Sequence, residues 1–260
     1  MHISLEGKIA LVTGGSGGIG QAIAEALAAS GATVAISYSS HPEPAEATVK
    51  TIIDAGGRAM ATKADVSAPQ DVVKLFDDVE RAYGPVDILI NCAGIDGKQA
   101  KSWDIGLDDW RKVIEVNLFG VFHCAQLALK SMVARKTGVI VNISSVHEII
   151  AWSGYSAYTA SKAAVAMLTK TMAQEAAPFG VRVLDVAPGA IKTDINRAVW
   201  SDPEQLRDLE GKIPLGRMGK TKEIADLVTV LVSDVGAYVT GTTVFVDGGM
   251  TDYPEFAHGG

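Results

Sequence analysis

T-G-G-S-G-G-I-G, residues 13–20, lies between the apolar run Lys8–Thr13 and a good helix-forming segment, Gln21–Ser30. Glycine permits positive φ angles and a close backbone approach, and the free N–H groups at the start of a helix attract a pyrophosphate. Gly-rich turns often serve only tight packing, but the strand–turn–helix context here favours a dinucleotide site. The residues that we expect to contact the dinucleotide are Gly14, Ser16, Gly18, Ile19 and Gly20.

Short β-rich runs alternate with 3.6-periodic stretches along the rest of the chain. Several of these runs are apolar at consecutive positions, as expected for strands that helices cover on both faces of a parallel sheet. The runs are Lys8–Thr13, Thr33–Ser37, Arg58–Lys63, Val86–Asn91, Gly138–Ile143, Val181–Val186 and Thr243–Val246. The pattern predicts an α/β protein with a doubly wound sheet, formed by residues 1–260 as a single domain.

The composition excludes several classes of protein. A formal net charge of −7 and an aromatic content of 6% argue against a nucleic-acid partner. Cys92 and Cys124 lack metal-ligand spacing, and no secretory signal precedes the first strand, so we expect reduced cysteines, no metal and a cytoplasmic location. No apolar run approaches the roughly 18 residues of a membrane span, so we expect no membrane partner.

The end of the second strand is where a dinucleotide-binding sheet distinguishes NAD from NADP. Tyr38 and Ser39 lie there, and no Asp or Glu follows before Glu43. Without an acidic residue nothing repels the 2′-phosphate of NADP, and without Arg or Lys nothing grips it. The sequence therefore predicts NAD(P) binding with a mild preference for NADP, and a plain polar loop is the alternative interpretation.

Other predicted cofactor residues follow the later strands, because ligands bind at the carboxyl ends of strands in open α/β sheets. The acid that ends the third strand could accept a hydrogen bond from the adenine, and small residues after the fourth let a cofactor lie over the backbone. These residues are Asp65, Val66, Asn91, Ala93, Gly94, Pro188, Gly189, Ile191 and Thr193. Residues 190–215 resemble a mobile lid, with a loosely packed surface helix as the alternative.

Tyr158 and Lys162 are four residues apart in a helix-forming segment, so their side chains share a helix face. A tyrosine needs its pKa lowered from about 10 to act as a base near neutrality, and a nearby ammonium could lower it. Ser145 could donate a hydrogen bond to a substrate oxygen. The three predict proton transfer at an alcohol or carbonyl, although many Tyr–Lys pairs are ordinary surface neighbours. Asn117 sits in a helical stretch and has either a specific bonding role or that of a satisfied buried amide.

These motifs together resemble the short-chain dehydrogenase/reductase superfamily. The matching pieces are T-G-G-S-G-G-I-G at 13–20, D-V at 65–66, N-C-A-G at 91–94, Asn117, Ser145, Y-T-A-S-K at 158–162 and P-G at 188–189. The resemblance implies a Rossmann-type sheet of seven parallel strands, NAD(P) binding, a small-molecule substrate and a homotetramer. It also implies a catalytic tetrad in which Tyr158 is the acid/base, Lys162 lowers its pKa and holds the nicotinamide ribose, Ser145 polarises the substrate and Asn117 supports a water.

Within the superfamily, S-S-V-H-E-I-I-A-W at 144–152, P-G-A-I-K-T-D-I-N at 188–196, S-D-P-E-Q at 201–205 and D-G-G-M-T-D-Y-P-E-F at 247–256 resemble the bacterial glucose 1-dehydrogenases. This resemblance implies oxidation of a sugar hydroxyl, with glucose converted to its lactone. The substrate residues expected on this basis are Asp96, Ser145, His147, Tyr158 and Asn196. The group tends to carry a basic residue where this chain has Ser39. The alternatives are a 3-oxoacyl-carrier-protein reductase or another ketone or polyol reductase and, outside enzymes, an NAD(P)-binding regulator.

The last strand and the tail predict how copies of the chain assemble. Val239–Val246 is expected at one end of the sheet, where a monomer would leave an edge poorly covered. Residues 250–260, with Tyr253 and Phe256, could reach a neighbouring subunit's cleft, as the resembling glucose dehydrogenases do. A frayed terminus without function is the alternative.

Overall fold

A seven-stranded parallel sheet forms the centre of the computed structural model, which describes residues 3–252. Its strands lie in the order β3-β2-β1-β4-β5-β6-β9, and a separate two-stranded sheet pairs β7 with β8. The strands are β1 Ile9–Thr13, β2 Thr33–Tyr38, β3 Arg58–Lys63, β4 Ile88–Asn91, β5 Gly138–Ile143, β6 Val181–Pro188, β7 Ile191–Lys192, β8 Gly219–Lys220 and β9 Thr243–Val246. The predicted Rossmann-type sheet is confirmed, and each of its strands lies within two residues of the bounds expected from the sequence.

Helices cover both faces of the sheet, as the consecutive apolar positions in the strands require. Helices α1, α2 and α9 bury apolar side chains against one face, and α3, α5 and α6 against the other. The helices are α1 Gly18–Ala29, α2 Pro42–Asp54, α3 Pro69–Tyr83, α4 Leu107–Ile114, α5 Gly120–Arg135, α6 Ser156–Ala176, α7 Arg197–Trp200, α8 Pro203–Glu210 and α9 Thr221–Val232. This two-sided packing confirms the prediction of a doubly wound fold.

Helix α3 illustrates how the sequence sets an element. Val72, Leu75 and Val79 are spaced so that all three face the core, and all are buried. Pro69 begins the helix, where its missing N–H costs no hydrogen bond. Gly84 ends the helix with a φ angle of +107°, a backbone conformation that residues other than glycine rarely adopt.

The strand order changes direction between β1 and β4. β1 pairs with β2 on one side and with β4 on the other, so the connections leave the two strands in opposite directions. A crevice opens at the carboxyl ends of such a strand pair, and ligands bind there in this class of fold. The Gly-rich turn after β1 and residues 92–94 after β4 meet at this crevice.

Residues 107–135 form one helix that changes its winding midway. Glu115–Phe119 makes a single π-helical turn between α4 and α5. In length and composition this helix could cross a membrane, a property that it shares with helices that lie in protein cores. Cys124, Ala128 and Met132 of this helix are buried in the core on one face of the sheet.

Residues 190–215, the predicted lid, contain short α7 and α8 together with β7. Most of their side chains are exposed, and Ile195 is 80% exposed. Of the predicted tail, residues 253–260 lie outside the described residues, and Tyr253 and Phe256 are among them.

Candidate active site

The glycines of the Gly-rich turn have two different roles: some allow close packing, and others leave open space at the start of α1. A Cβ at Gly14 would come within 2.9 Å of the Ala93 Cα atom, so the turn can lie this close to the loop after β4 only with glycine. At Gly17 an added Cβ would meet nothing within 4 Å, and no side chain caps the start of α1. The first N–H groups of the helix therefore face an open space, which fits the pyrophosphate of a dinucleotide.

Thr13 joins the two sides of this crevice, a role that sequence reasoning missed. Its hydroxyl oxygen accepts hydrogen bonds from the N–H groups of Cys92 and Ala93, both at 3.1 Å. The same hydroxyl contacts the Ile90 carbonyl at 3.4 Å. These bonds set the course of the predicted cofactor-contacting segment that follows β4.

The adenosine side of the crevice is built from the ends of β2 and β3. Ser39 is exposed, and Tyr38 is half-buried and joined through its carbonyl to the Ala64 N–H at 2.9 Å. One Asp65 carboxylate oxygen accepts from the Ser67 N–H at 2.9 Å and from the Ser67 hydroxyl at 2.6 Å. One oxygen of Asp65, the acid predicted to contact adenine, is therefore used to stabilise the turn at residues 65–67, and the other oxygen is available to a ligand.

Asn117 is fully buried, and both ends of its amide bind the Ile95 backbone. Its oxygen accepts from the Ile95 N–H and its nitrogen donates to the Ile95 carbonyl, both at 2.9 Å. The nitrogen also contacts the Ser161 hydroxyl at 3.2 Å. The structure therefore favours the satisfied buried amide, which attaches the loop after β4 to α6. The π turn is what presents this side chain, as such turns often do at functional sites.

Ser145, Tyr158 and Lys162 meet where β5 ends and α6 begins. Ser145 is buried and its hydroxyl oxygen accepts from the His147 N–H at 3.2 Å. Lys162 is 7% exposed and donates to the Ile143 carbonyl at 2.8 Å. Its ammonium lies 5.6 Å from the centre of the Tyr158 ring. The two residues predicted to share a helix face do so on α6.

Burial dominates the electrostatics of this pair. It raises the pKa of Tyr158 to about 12, against a smaller lowering by the neighbouring Ser145 side chain. It also lowers the pKa of Lys162, because a buried ammonium loses its hydration. The sequence predicted the opposite shift for Tyr158, and that expectation is wrong for the protein alone. Sequence spacing revealed the nearby charge but not the desolvation that outweighs it.

An aromatic stack that the sequence did not reveal borders Tyr158. The Trp152 ring stacks on His147 at 4.5 Å and on Tyr155 at 3.9 Å between ring centres. Both His147 and Trp152 meet the Tyr158 ring edge to face, at 6.2 and 5.8 Å. The stack forms a rigid wall beside the predicted acid/base.

Two of the predicted substrate residues, Asp96 and His147, lie close enough for the charge of each to affect the pKa of the other. His147 Nδ1 is 3.0 Å from the Ile150 carbonyl, so this nitrogen carries the proton and Nε2 is left as an acceptor. Burial lowers the pKa of His147 and raises the pKa of Asp96, while the charges of Lys162 and His147 oppose the latter shift. The pair thus presents hydrogen-bond acceptors near Tyr158.

Asn196, the remaining predicted substrate residue, is occupied within the lid. Its amide oxygen accepts from the Thr193 N–H at 3.0 Å, and its nitrogen donates to the Ile191 carbonyl at 2.8 Å. Trp200 donates through its indole N–H to the Thr193 carbonyl at 2.7 Å. Asn196 and Trp200 therefore hold the segment carrying two predicted cofactor residues, and this favours an organising role for Asn196 over substrate contact.

A cavity of about 300 Å³ separates the lid from α1. Predicted cofactor residues Gly18 and Thr193 line it from opposite sides, together with Lys192, whose ammonium lies 4.4 Å above the Trp200 ring. Just after β6, the Gly189 N–H donates to the Val246 carbonyl at the end of β9 at 3.1 Å, and a Cβ added at Gly189 would come within 2.8 Å of Asp247. Gly189 thus has a packing reason to be glycine.

Behind the site, a line of buried polar side chains crosses three strands and α6. Asn91 donates to Asn142, Asn142 to Thr169, both at 2.8 Å, and Thr169 to Asp185 at 2.6 Å. The Asn91 amide nitrogen is therefore tied into the core, while its amide oxygen is buried without a hydrogen-bond partner among residues 3–252. Sequence reasoning overlooked Asp185, although an acid inside the apolar run of β6 was a visible signal.

Comparison with known proteins agrees with this site. A family model described as enoyl-(acyl carrier protein) reductase matches residues 14–251. The chain is 46% identical to 3β-hydroxysteroid dehydrogenase 1 of Eggerthella lenta, over 100% of this chain and 99% of that one. It is 40% identical to glucose 1-dehydrogenase 2 of Bacillus subtilis, over 98% and 99% of the two chains.

Among solved structures, a gluconate 5-dehydrogenase from Burkholderia cenocepacia, in complex with NADP and tartrate, superimposes with a TM-score of 0.90. It is 37% identical, and the match covers 96% of this chain and 98% of that one. Fold, glycine turn and Ser–Tyr–Lys geometry agree with these relationships, and the chain belongs to the short-chain dehydrogenase/reductase family of NAD(P)-dependent oxidoreductases that act on CH–OH groups.

Proposed function

We propose that the protein oxidises a sugar hydroxyl, and that glucose, converted to its lactone, is the first candidate substrate. The observation that carries this proposal is the pair of acceptors near Tyr158: His147 Nε2, whose ring lies 6.2 Å from the Tyr158 ring, and Asp96, whose charge acts on Tyr158. A substrate with several hydroxyl groups can donate to both acceptors while one of its hydroxyls meets Tyr158 and Ser145. The 40% identical glucose 1-dehydrogenase supports the same substrate.

The chain's own residues divide the chemistry between them. Ser145 donates a hydrogen bond to the reacting oxygen, and the Tyr158 hydroxyl exchanges a proton with that oxygen. Since burial raises the pKa of Tyr158 to about 12, the protonated form dominates at neutral pH and is ready to donate to a carbonyl. Oxidation needs the phenolate instead. The Lys162 ammonium, directed towards the Tyr158 ring, favours that anion.

The nicotinamide dinucleotide supplies the hydride acceptor or donor. Gly18 and the N–H groups of α1 would hold its pyrophosphate, and Thr193 and Ile191 would lie against it from the lid. Tyr38 and Ser39 would flank the adenosine ribose, with neither an acid nor a base beside them. We propose NAD(P) with a mild preference for NADP, which the NADP-bound gluconate 5-dehydrogenase supports.

An apolar ring alcohol is a second candidate substrate, favoured by the mouth of the cleft. Ile149 is 62% exposed and Trp152 36% exposed on the loop after β5. The 46% identical relative is a 3β-hydroxysteroid dehydrogenase, and a hydroxysteroid is an apolar ring alcohol of this kind. A 3-oxoacyl-carrier-protein reductase stays an alternative and would require a basic patch beside the cleft for its acidic partner.

A spectrophotometric screen tests these proposals. The purified protein is mixed with NAD or NADP and glucose, other aldoses, a 3β-hydroxysteroid or, in the reducing direction, a 3-oxoacyl thioester, and the absorbance of the reduced nicotinamide is followed. We expect the highest kcat/KM with glucose. A higher value with the hydroxysteroid would replace the sugar proposal, and turnover with no alcohol or ketone would favour the NAD(P)-binding regulator. Tyr158→Phe is the matched control for background reaction.

We also propose a homotetramer. β9 is an edge strand, and all four of its residues are partly exposed. Three apolar side chains are also exposed: Phe119 at the end of the π turn, Phe122 on α5 and Met167 on α6. Their exposure supports a further apolar contact between subunits. Deletion of Phe256–Gly260, followed by light scattering and kinetics, tests the tail. An unchanged mass with an unchanged substrate KM would rule out a role for it in assembly or the cleft.

A cytoplasmic location is the last part of this proposal. Cys92 and Cys124 are free thiols, which suits a reducing compartment. Fractionation of the source cells, followed by immunodetection, checks the location.

A further inference from the structure

Asp185 is an acid in the interior of the sheet. It lies in β6 and is completely buried, with Leu184 and Val186 before and after it in the core of the opposite face. One of its carboxylate oxygens accepts from the Thr169 hydroxyl at 2.6 Å. The other has no hydrogen-bond partner among residues 3–252. Leaving a buried polar atom unsatisfied is costly, so this arrangement calls for a physical explanation.

The buried polar line behind the site is oriented towards Asp185. Asn91, Asn142 and Thr169 each donate to the next member, and Asp185 only accepts. Donors that all point one way stabilise negative charge at the end of the line. The network is therefore arranged for an ionised Asp185.

Lys162 lies on the same face of the sheet as this carboxylate. Lys162 and Thr169 are seven residues, about two turns, apart on α6 and so share a helix face. The Lys162 ammonium donates to the Ile143 carbonyl, the residue next to Asn142 in β5, and Asn142 pairs in register with Asp185 in β6. The ammonium therefore binds β5 one residue beyond the position that pairs with Asp185.

Lys162 has no direct ionic partner in the described chain, because none of the ion pairs within 4.0 Å involves it. An ammonium that is buried without an opposite charge tends to lose its proton. Yet a neutral Lys162 could neither attract a Tyr158 phenolate nor serve as a cationic donor. The site therefore needs a counter-charge for Lys162 at a distance.

We propose that Asp185 is the buried counter-charge of Lys162, a positioning residue that keeps the ammonium protonated through the electric field rather than by contact. This inference rests on the proposed function only in that Lys162 serves catalysis. Three acids have charges that favour a protonated Lys162, and the effect of Asp185 exceeds those of Asp96 and Glu148.

The other groups around this pair do not replace Asp185. Cys92 interacts most strongly with Lys162, but burial raises the pKa of its thiol to about 11, so it is uncharged near neutrality. Glu148 and Asp96 are only half-buried, so water screens them more than Asp185. Burial raises the pKa of Asp185 to about 7; the Thr169 and Asn142 side chains oppose the rise, Glu148 adds to it, and the Lys162 charge opposes it least. Asp185 is therefore anionic above neutrality, and its charge then opposes the loss of the Lys162 proton.

Asp185→Asn tests the proposal, because it keeps the shape and the acceptor for Thr169 but removes the charge. We expect kcat/KM to be near that of the wild type at pH 6 and to fall roughly tenfold at pH 9, as the alkaline limb moves to lower pH. The matched control is Asp87→Asn, which removes a carboxylate bound to Arg135 just before β4, at the amino-end side of the sheet. The control should show the wild-type ratio of rates at the two pH values. Equal pH profiles for Asp185→Asn and the wild type would overturn the proposal.

A second readout does not depend on turnover. Carbon-13 NMR of labelled lysine in the protein without cofactor follows the Lys162 ammonium directly, with Lys162→Met identifying its signal. We expect the signal to titrate at lower pH in Asp185→Asn than in the wild type and at the wild-type pH in Asp87→Asn. An unmoved signal refutes the counter-charge. If no substrate is turned over, the proposed function fails while this titration still decides the role of Asp185.

Discussion

Replacing Asp185 by Asn should change how the stability of the protein depends on pH. The pKa of this carboxyl rises from 3.8 to about 7 on folding, because burial disfavours the charge. Between these values the folded protein holds a proton that the unfolded chain has lost. The stability that the protonated group contributes is complete below pH 3.8 and disappears as the pH rises through about 7.

The size of the effect follows from the same shift. A change from 3.8 to about 7 corresponds to about 4 kcal/mol over the whole range. Between pH 5 and pH 8 the wild type should lose roughly 2–3 kcal/mol of unfolding free energy relative to Asp185→Asn, which cannot titrate. Apart from Lys162, whose pKa Asp185 is proposed to raise, the other groups titrate alike in both proteins, so the difference between the two proteins reports Asp185 together with its effect on Lys162.

Urea unfolding, followed by circular dichroism at several pH values and one protein concentration, measures this difference. The concentration is held constant because assembly would add to the apparent stability. A gap between the two proteins that stays the same from pH 5 to pH 8 would refute the argument. It would mean that the unpartnered oxygen of Asp185 is solvated or that the acid stays neutral over this range.

Three further predictions concern the cleft. Tyr158→Phe should lower turnover by about 10²–10⁴-fold while circular dichroism and dinucleotide titrations stay unchanged, and near-wild-type turnover would exclude Tyr158 as the acid/base. Because burial raises the pKa of Tyr158 to about 12, oxidation should speed up with rising pH more than reduction does, and initial rates in both directions from pH 6 to pH 10 check this. Ser39→Arg should shift the ratio of kcat/KM values towards NADP by roughly 1–3 kcal/mol through a charge-assisted bond, with Ser40→Arg as a neighbouring comparison. An unchanged ratio for Ser39→Arg would place the ribose pocket elsewhere.

The sequence predicted the elements whose signal is local. An apolar run such as Gly138–Ile143 indicates a buried strand directly. The order of strand, glycines and helix at residues 13–20 predicts a tight turn at the start of α1. Tyr158 and Lys162 could be paired because four residues on a helix fix their relative positions. These expectations depend on neighbours along the chain.

Features that depend on distant partners could not be predicted in this way. The wall formed by His147, Trp152 and Tyr155 depends on how one loop folds back on itself, which no periodicity encodes. The raised pKa of Tyr158 depends on how completely several elements cover it. Asn91 shows the same limit, because its position at a strand end suggested a ligand contact, whereas its amide nitrogen is bound to Asn142 from the next strand.

The π turn at Glu115–Phe119 also bears on how the chain tolerates changes of length. A π turn contains one residue more than the α-helical turn it replaces. Deleting a residue such as Leu118 would therefore let α4 and α5 join as one regular helix, an outcome that an ordinary helix could not offer. The hydrogen bonds of a regular helix would replace those of the π turn, but Asn117 would turn about the helix axis and release Ile95. The fold could thus persist while the loop beside Lys162 lost its attachment. The extra residue in this helix is therefore needed for the geometry of the cleft and not for the stability of the fold.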